Sequence, residues 1–209
     1  MRLRYKPNAR GEIEKNPLMI LNPKLYKGKW KEVFGNDKPI HLEIGSGKGD
    51  FVKEMALRNP DINFLALEIN IKAFVLASRK FNIEEVENVR GIVAGAEDLE
   101  EIFESGEISK IYLNFSTPWP KRRHHKRRLT HKNFLDRYKK IIKPGASLEL
   151  KTDNRDFFDD TLIYLEENNI KIIKKDYNLS EEDSKVLTEY ERKFRKQGLP
   201  ICFVKAKFL

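Results

Sequence analysis

The sequence predicts an α/β fold: a seven-stranded, mostly parallel sheet with helices on both faces and an antiparallel last strand. Three observations lead there. From Pro39 onward, short apolar runs alternate with helical patterns, as in a parallel sheet whose strands are joined by crossover helices. A glycine-rich turn, Gly45-Ser-Gly47-Lys-Gly49, stands where the first run gives way to the first helix. The last two runs lack a helical crossover of ordinary pattern, so the final strand is expected to turn back antiparallel.

Taken in order, residues 1–38 show no clear periodicity and carry Pro7, Pro17, Pro23 and Gly28; they read as a basic extension with a short helix near Tyr26 to Phe34, ahead of a domain at 39–209. Ile40 to Ile44 is the first strand, and Asp50 to Arg58 a helix ended by Asn59-Pro60. Asn63 to Glu68 is a strand, Asn70 to Phe81 a helix, Val89 to Ala94 a strand and Glu97 to Phe103 a helix. Ile108 to Asn114 is the fourth strand, followed by a long polar loop and a helix from His131 to Ile142. Pro144-Gly145 turns into the strand Ser147 to Lys151; a helix from Asn154 to Glu166 leads to the strand Lys171 to Tyr177. A helix near Thr188 to Lys196 precedes the last strand, Ile201 to Phe208.

The chain's 209 residues suffice for one full-sized core, and 13 Phe, 7 Tyr and 2 Trp supply it, which excludes a disordered chain. The lone Cys202 forms neither an internal disulfide nor a cysteine-based metal site, so a reducing, cytoplasmic setting is expected. The basic, polar first residues contain no signal-peptide core, and no apolar run reaches the length of a membrane span. Charge is segregated. Residues 121–143 hold eleven Lys or Arg against one acid, residues 1–40 hold ten against four, and the rest of the chain is net acidic although the whole carries +9. Two basic segments on an acidic body point to a polyanionic partner.

Glycines at the first strand-to-helix turn let the backbone bend sharply and approach a ligand. A dinucleotide fold wants G-x-G-x-x-G there, with a pyrophosphate at the helix N-terminus. Here the third glycine comes one residue early, and Glu43 lies two residues before the first. A carboxylate repels a pyrophosphate and suits a cation, such as a sulfonium bearing an ammonium group. Glu68, at the end of the second strand, supplies an acid for ribose hydroxyls in either fold. The E-x-G-x-G-x-G pattern resembles the first motif of class I methyltransferases.

After the fourth strand comes Asn114-Phe-Ser-Thr-Pro-Trp-Pro120, a stiff loop with an aromatic face, and then Lys121-Arg-Arg-His-His-Lys-Arg-Arg128. Such cations contact phosphates, and arginines also stack on bases. The adjacent histidines have no accompanying acid or cysteine, so no metal is expected.

These stretches, with Lys151-Thr-Asp-Asn154 and Thr188-Glu-Tyr-Glu191 followed by Lys193-Phe194 and Gly198, resemble the bacterial tRNA (guanine-N7)-methyltransferase family from about Ile40 to the C-terminus. The resemblance implies a Rossmann-like class I methyltransferase fold, S-adenosylmethionine as cofactor, S-adenosylhomocysteine as product, and a guanine of the tRNA variable loop as target. It implies cofactor binding by Glu43, Gly45, Gly47, Glu68, Gly95, Ala96 and Thr117. It places tRNA contacts at Lys121, Arg122, Arg123, His124, Lys126, Arg127, Arg128, Asp153, Thr188, Glu189, Tyr190 and Glu191. The expected partner is tRNA, with no membrane or metal, and the expected state is a monomer or weak homodimer.

Two positions depart from the family pattern. Thr117 stands where the family has an Asp considered catalytic, and Gly95 stands where Asn or Asp often precedes the alanine, leaving only a backbone contact to the adenine. Guanine N7 carries an in-plane lone pair and no proton, so its methylation requires positioning rather than a general base. On that ground Thr117 weakens turnover without abolishing binding. An inactive tRNA-binding relative is the alternative reading.

Overall fold

The computed structural model describes residues 9–209; the basic residues Arg2, Arg4 and Lys6 of the extension lie outside them. Among the described residues the strands are β1 (Met19–Ile20), β2 (Ile40–Ile44), β3 (Asn63–Glu68), β4 (Val89–Val93), β5 (Ile108–Asn114), β6 (Ile142–Thr152), β7 (Ile170–Asp176) and β8 (Cys202–Phe208). The helices are α1 (Ala9–Glu14), α2 (Trp30–Phe34), α3 (Asp50–Arg58), α4 (Ile71–Lys80), α5 (Leu99–Ile102), α6 (Lys132–Ile141), α7 (Arg155–Glu167), α8 (Glu181–Ser184) and α9 (Glu189–Lys196).

One sheet runs in the order β1-β4-β3-β2-β5-β6-β8-β7. β8 inserts between β6 and β7 and is antiparallel to both, while the other pairings are parallel. The expected antiparallel last strand is present. The strand count is corrected from seven to eight: Met19 and Ile20 pair with Gly91 and Ile92. Two residues cannot display a period of two, so this strand has no sequence signature. Its partner is fitted to receive it, because a Cβ at Gly91 would lie 2.7 Å from the Met19 sulfur.

The described part of the extension is packed into the body. Trp30 is fully buried and its indole N–H donates to the carbonyl of Ile102 at 3.0 Å. Asn16 donates from its amide to the carbonyls of Ser78 and Phe81 at 2.7 and 2.9 Å, tying the segment to the end of α4.

Strand alternation divides the core between the two faces. Leu42, Leu65, Ile111, Leu148 and Val204 pack with α5, α6 and α7, while Phe64, Ala66 and Tyr112 pack with α1, α3 and α4. Helix starts carry the caps expected of their side chains: Asn70 accepts from Lys72 N–H, Asn154 from Phe157 N–H and Thr188 from Glu191 N–H. The Pro144-Gly145 turn survives as an exposed excursion inside β6, where the pairing jumps from Ile108↔Ile142 to Lys110↔Ser147.

The chain builds β2, β3 and β4 toward one edge and then returns to lay β5 and β6 on the other side of β2. The order reverses between β2 and β5. In open α/β sheets, that reversal opens a crevice at the C-terminal ends of the strands, and ligands bind there.

Candidate functional site

The glycine turn follows β2 directly. Gly45 and Gly47 have φ of 81° and 56°, and a Cβ on either would project into open space. Both Gly45 and Ser46 donate their N–H groups to the carbonyl of Leu67, at 2.8 and 3.0 Å, so the turn is pinned to the end of β3. Glu68 completes the fastening: its carboxylate accepts from Gly47 N–H at 2.9 Å and from Asn70 N–H at 2.7 Å. Gly49 serves packing instead. Its Cβ would lie 2.8 Å from the Phe81 ring and 2.9 Å from Ala77, so only glycine lets α3 begin against α4.

Glu43 sits at the end of β2 and is buried. One carboxylate oxygen accepts from the Asn114 amide at 2.8 Å; the other is buried without a partner. Burial pushes the carboxyl up to about 8, with Glu68 adding to the rise and Asn114 opposing it. A buried carboxylate with one idle oxygen beside an open glycine turn can accept from a cationic donor. Gly95 and Ala96 lie after β4, close to Ile69, whose side chain is 70% exposed and would lie 3.3 Å from a Cβ on Gly95.

The loop after β5 is strained: Phe115 and Trp119 have φ of 52° and 43°. Such conformations cost about 1–3 kcal/mol each and persist where the surroundings enforce them. Phe115 donates its N–H to the carbonyl of Lys151, and its ring lies against Tyr190 and Phe194 at 6.4 and 5.7 Å. Tyr190 remains largely exposed. Thr117 is exposed, and Asp153, just past β6, is half-buried.

The stretch expected as a polar loop folds into a 3-10 turn at Arg122–Arg127. Its period of three puts His125 and Arg128 on one side, where both face Asp160. Arg128 is therefore a correction to the set of RNA-contacting cations. It is 2% exposed, donates to the Pro118 carbonyl at 2.7 Å and pairs with Asp160, fastening the loop from below. Lys121, Arg122, Arg123, Lys126 and Arg127 are exposed, and His124 is half-buried against Trp119. Arg127 lies over the Trp119 ring at 5.0 Å.

Thr188 and Glu191 also depart from expectation. Thr188 is buried as the cap of α9, and Glu191 is fully buried, accepting from Ser184, Lys151 and Arg195. Both Glu191 oxygens are engaged inside the fold, and Thr188 is turned to capping. Glu189 pairs with Lys48 at 2.6 Å, and both Glu189 and Tyr190 are exposed.

Residues 37–204 match a family model described as "Putative methyltransferase". A tRNA (guanine-N(7)-)-methyltransferase of Clostridium tetani is 46% identical over 99% of this chain and 99% of its own length. The chain belongs to the tRNA (guanine-N(7)-)-methyltransferase family. Solved structures agree on the fold. The 16S rRNA methyltransferase KamB aligns at TM-score 0.66 with 16% identity, covering 87% of this chain and 93% of its own. A 16S rRNA (adenine(1408)-N(1))-methyltransferase of Catenulisporales acidiphilia, crystallised with cosubstrate SAM, aligns at 0.64 with 13% identity, covering 91% and 92%. The family's full-length match gives no support to the reading of an inactive tRNA-binding relative.

Within the family frame, three residues escaped the sequence reading. Asn114 holds Glu43, and strand parity could have found it: Glu43 pairs with Tyr112, so Asn114 shares its face. Phe115 lies inside the quoted loop motif, but its left-handed backbone has no sequence mark. Ile69 was an apolar residue between Glu68 and a cap, and its exposure became visible only in three dimensions.

Proposed function

We propose that the chain transfers the methyl group of S-adenosylmethionine to N7 of a guanine in the variable loop of tRNA, leaving S-adenosylhomocysteine, and works in the cytoplasm as a monomer or weak homodimer. The observation that carries this reading is the idle, buried oxygen of Glu43 beside the glycine turn, held by Asn114 at the end of the strand from which the loop to the cationic turn at 121–127 departs. No helix among the described residues is long and apolar enough to cross a membrane.

The cofactor supplies an electrophilic methyl on a sulfonium. Glu43 fits its ammonium end, the open turn at Gly45 and Gly47 leaves room for it, and Glu68 offers its remaining lone pairs to ribose hydroxyls while fastening the turn. Gly95, Ala96 and Ile69 provide backbone and an apolar face for the adenine. Asp153 accepts from the donors on the guanine's Watson–Crick edge, and a base lacking those donors leaves it unpaired, which gives specificity. The target base has to leave its stack to reach the crevice. Methylation at N7 makes the purine cationic, so the crevice carboxylates stabilise the transition state more than the ground state. Incubating the protein with methyl-labelled cofactor and a tRNA transcript, then digesting the RNA, should yield labelled 7-methylguanosine. Label on an exocyclic amine would reassign the reaction class.

Thr117 offers a hydroxyl where the family has a carboxylate. Thr117→Asp is expected to raise kcat by roughly tenfold to a thousandfold, the range for one restored polar contact in a transition state. Cofactor and tRNA dissociation constants should change little. A rate no better than the parent's removes the assigned role.

Arg122, Arg123, Lys126 and Arg127 are the exposed cations of the turn. Replacing all four by Ala should lower the slope of log affinity for tRNA against log salt by about 3, since each phosphate contact contributes about 0.7–0.9. An unchanged slope places the RNA elsewhere.

A further inference from the structure

The face of β6, β8 and β7 opposite α7 carries lysines in register. Lys110, Ser147, Lys207 and Lys171 form one row across β5, β6, β8 and β7, and Tyr112, Glu149, Lys205 and Lys174 form the next. Their strand neighbours Leu148, Leu150, Val204, Ala206 and Ile170 point the other way into the core. Lys185 belongs to the same field: its charge, with that of Lys205, helps hold the Lys110 amine below the usual lysine range, after burial as the larger cause. Two acids answer these cations, Glu149 with Lys110 at 2.7 Å and Lys205 at 3.7 Å, and Asp183 with Lys174 at 3.1 Å. No acid lies within ion-pair distance of Lys171 or Lys207 among the described residues.

Like charges directly opposite on a sheet destabilise it. Here Lys207 faces Lys171 and Lys205 faces Lys174 on neighbouring rows. Lysines on an edge strand protect it from pairing with other chains, which accounts for Lys171 and Lys174 on β7. It does not account for Lys207, which lies on the interior strand β8 without an acid, nor for Lys205 and Lys110, which share the single carboxylate of Glu149. Repulsion kept on interior strands would be relieved by a bound polyanion.

We infer that this lysine face is a second docking surface for the phosphate backbone of the tRNA substrate, separate from the cationic turn at 121–127. The inference rests on the tRNA reading above. Lys151 stands on the same face where β6 meets the crevice, and Ser147 is four residues back, about 13 Å at the usual strand rise. An RNA whose target base enters the crevice therefore has backbone within reach of the row.

The test is the variant Lys171→Gln/Lys205→Gln/Lys207→Gln in the full chain, read by tRNA affinity as a function of salt. The expected result is a salt slope smaller by about 2 and affinity for a full-length tRNA transcript about tenfold weaker at physiological salt. Affinity for S-adenosylhomocysteine should be unchanged and thermal stability equal or higher, because like charges have been removed. A slope and affinity matching the parent's overturn the inference and leave the methyltransferase reading intact. So does a variant that binds tRNA normally but loses binding to phosphatidylserine vesicles, since that assigns the face to membranes. A parent protein that methylates no tRNA defeats the underlying reading instead.

Discussion

Glu43→Gln is expected to weaken cofactor binding by roughly 30-fold to several thousandfold while making the unliganded protein more stable above neutral pH. The affinity loss follows from removing one partner of a buried, hydrogen-bonded charge pair, which costs about 2–5 kcal/mol. The stability gain follows from the same carboxylate standing alone. Its folded pKa of about 8 lies above the ordinary glutamate value of 4.5 because burial disfavours the ionised form. An acid raised in the folded state binds more protons there than when unfolded. Its contribution to stability is therefore full below pH 4.5 and is lost as pH rises through about 8. Each unit of difference corresponds to about 1.4 kcal/mol, so the parent should lose a few kcal/mol across that window through this group. Gln has no proton to lose and should flatten that part of the profile. Chemical denaturation at pH 5, 7 and 8.5, with and without ligand, reads both effects. Binding a cationic ligand should also ionise Glu43, so calorimetry near pH 7 in buffers of differing ionisation enthalpy should show close to one proton released. Unchanged affinity in the variant, or no proton released by the parent, would remove Glu43 from the site.

Glu43 also shows how much of the site was legible in the sequence. The acid, the glycines and Glu68 could be placed because a strand, a turn and a helix have distinct periods, and the turn must fall where the periods change. The crossover pattern likewise indicated the parallel pairing and the antiparallel β8, though not the order of the strands. What remained hidden depends on contacts distant in sequence. Nothing local distinguishes Arg128 from Arg127, yet one is sealed under Pro118 against Asp160 and the other lies open over Trp119. The difference comes from the 3-10 period, which a row of cations does not display. Glu191 was expected at the substrate because it closes a recognisable motif. Its partners Lys151 and Ser184 lie 40 and 7 residues away, and their convergence belongs to the fold. Residues 19–20 became a strand because Gly91 left space for them, information that sits on β4 rather than in the extension.

Glu191→Gln should cost more stability than any other change to a polar side chain in the region of α9. Glu191 is fully buried; one oxygen accepts from Ser184 at 2.7 Å and from Arg195 at 2.7 and 3.1 Å, the other from Lys151 at 3.1 Å. Lys151 is itself buried, donating also to Ser184 and to the Val186 carbonyl. Burial already lowers the Lys151 amine below the usual lysine range, with Glu191 opposing the fall. Without the carboxylate, that ammonium stays in the interior with neutral acceptors alone. Breaking a buried pair from one side costs about 3–5 kcal/mol. For a chain of this size that corresponds to a fall in Tm of about 10 °C. The remaining lysine has its pKa depressed in the folded state, so it destabilises the fold while protonated and the deficit should shrink as pH rises through that lowered value. Lys151→Met/Glu191→Leu removes the Lys151–Glu191 pair and should recover part of the loss, with Arg195 still donating to the Leu179 carbonyl, because a well-packed apolar pair often matches a buried ion pair in stability. The network also anchors α9, whose Tyr190 packs against Phe115 at the crevice. Glu191→Gln should therefore raise KM for tRNA more than it lowers kcat, and the double variant should restore Tm and KM together. Restored stability with KM still high would mean that the Glu191 carboxylate meets the RNA directly.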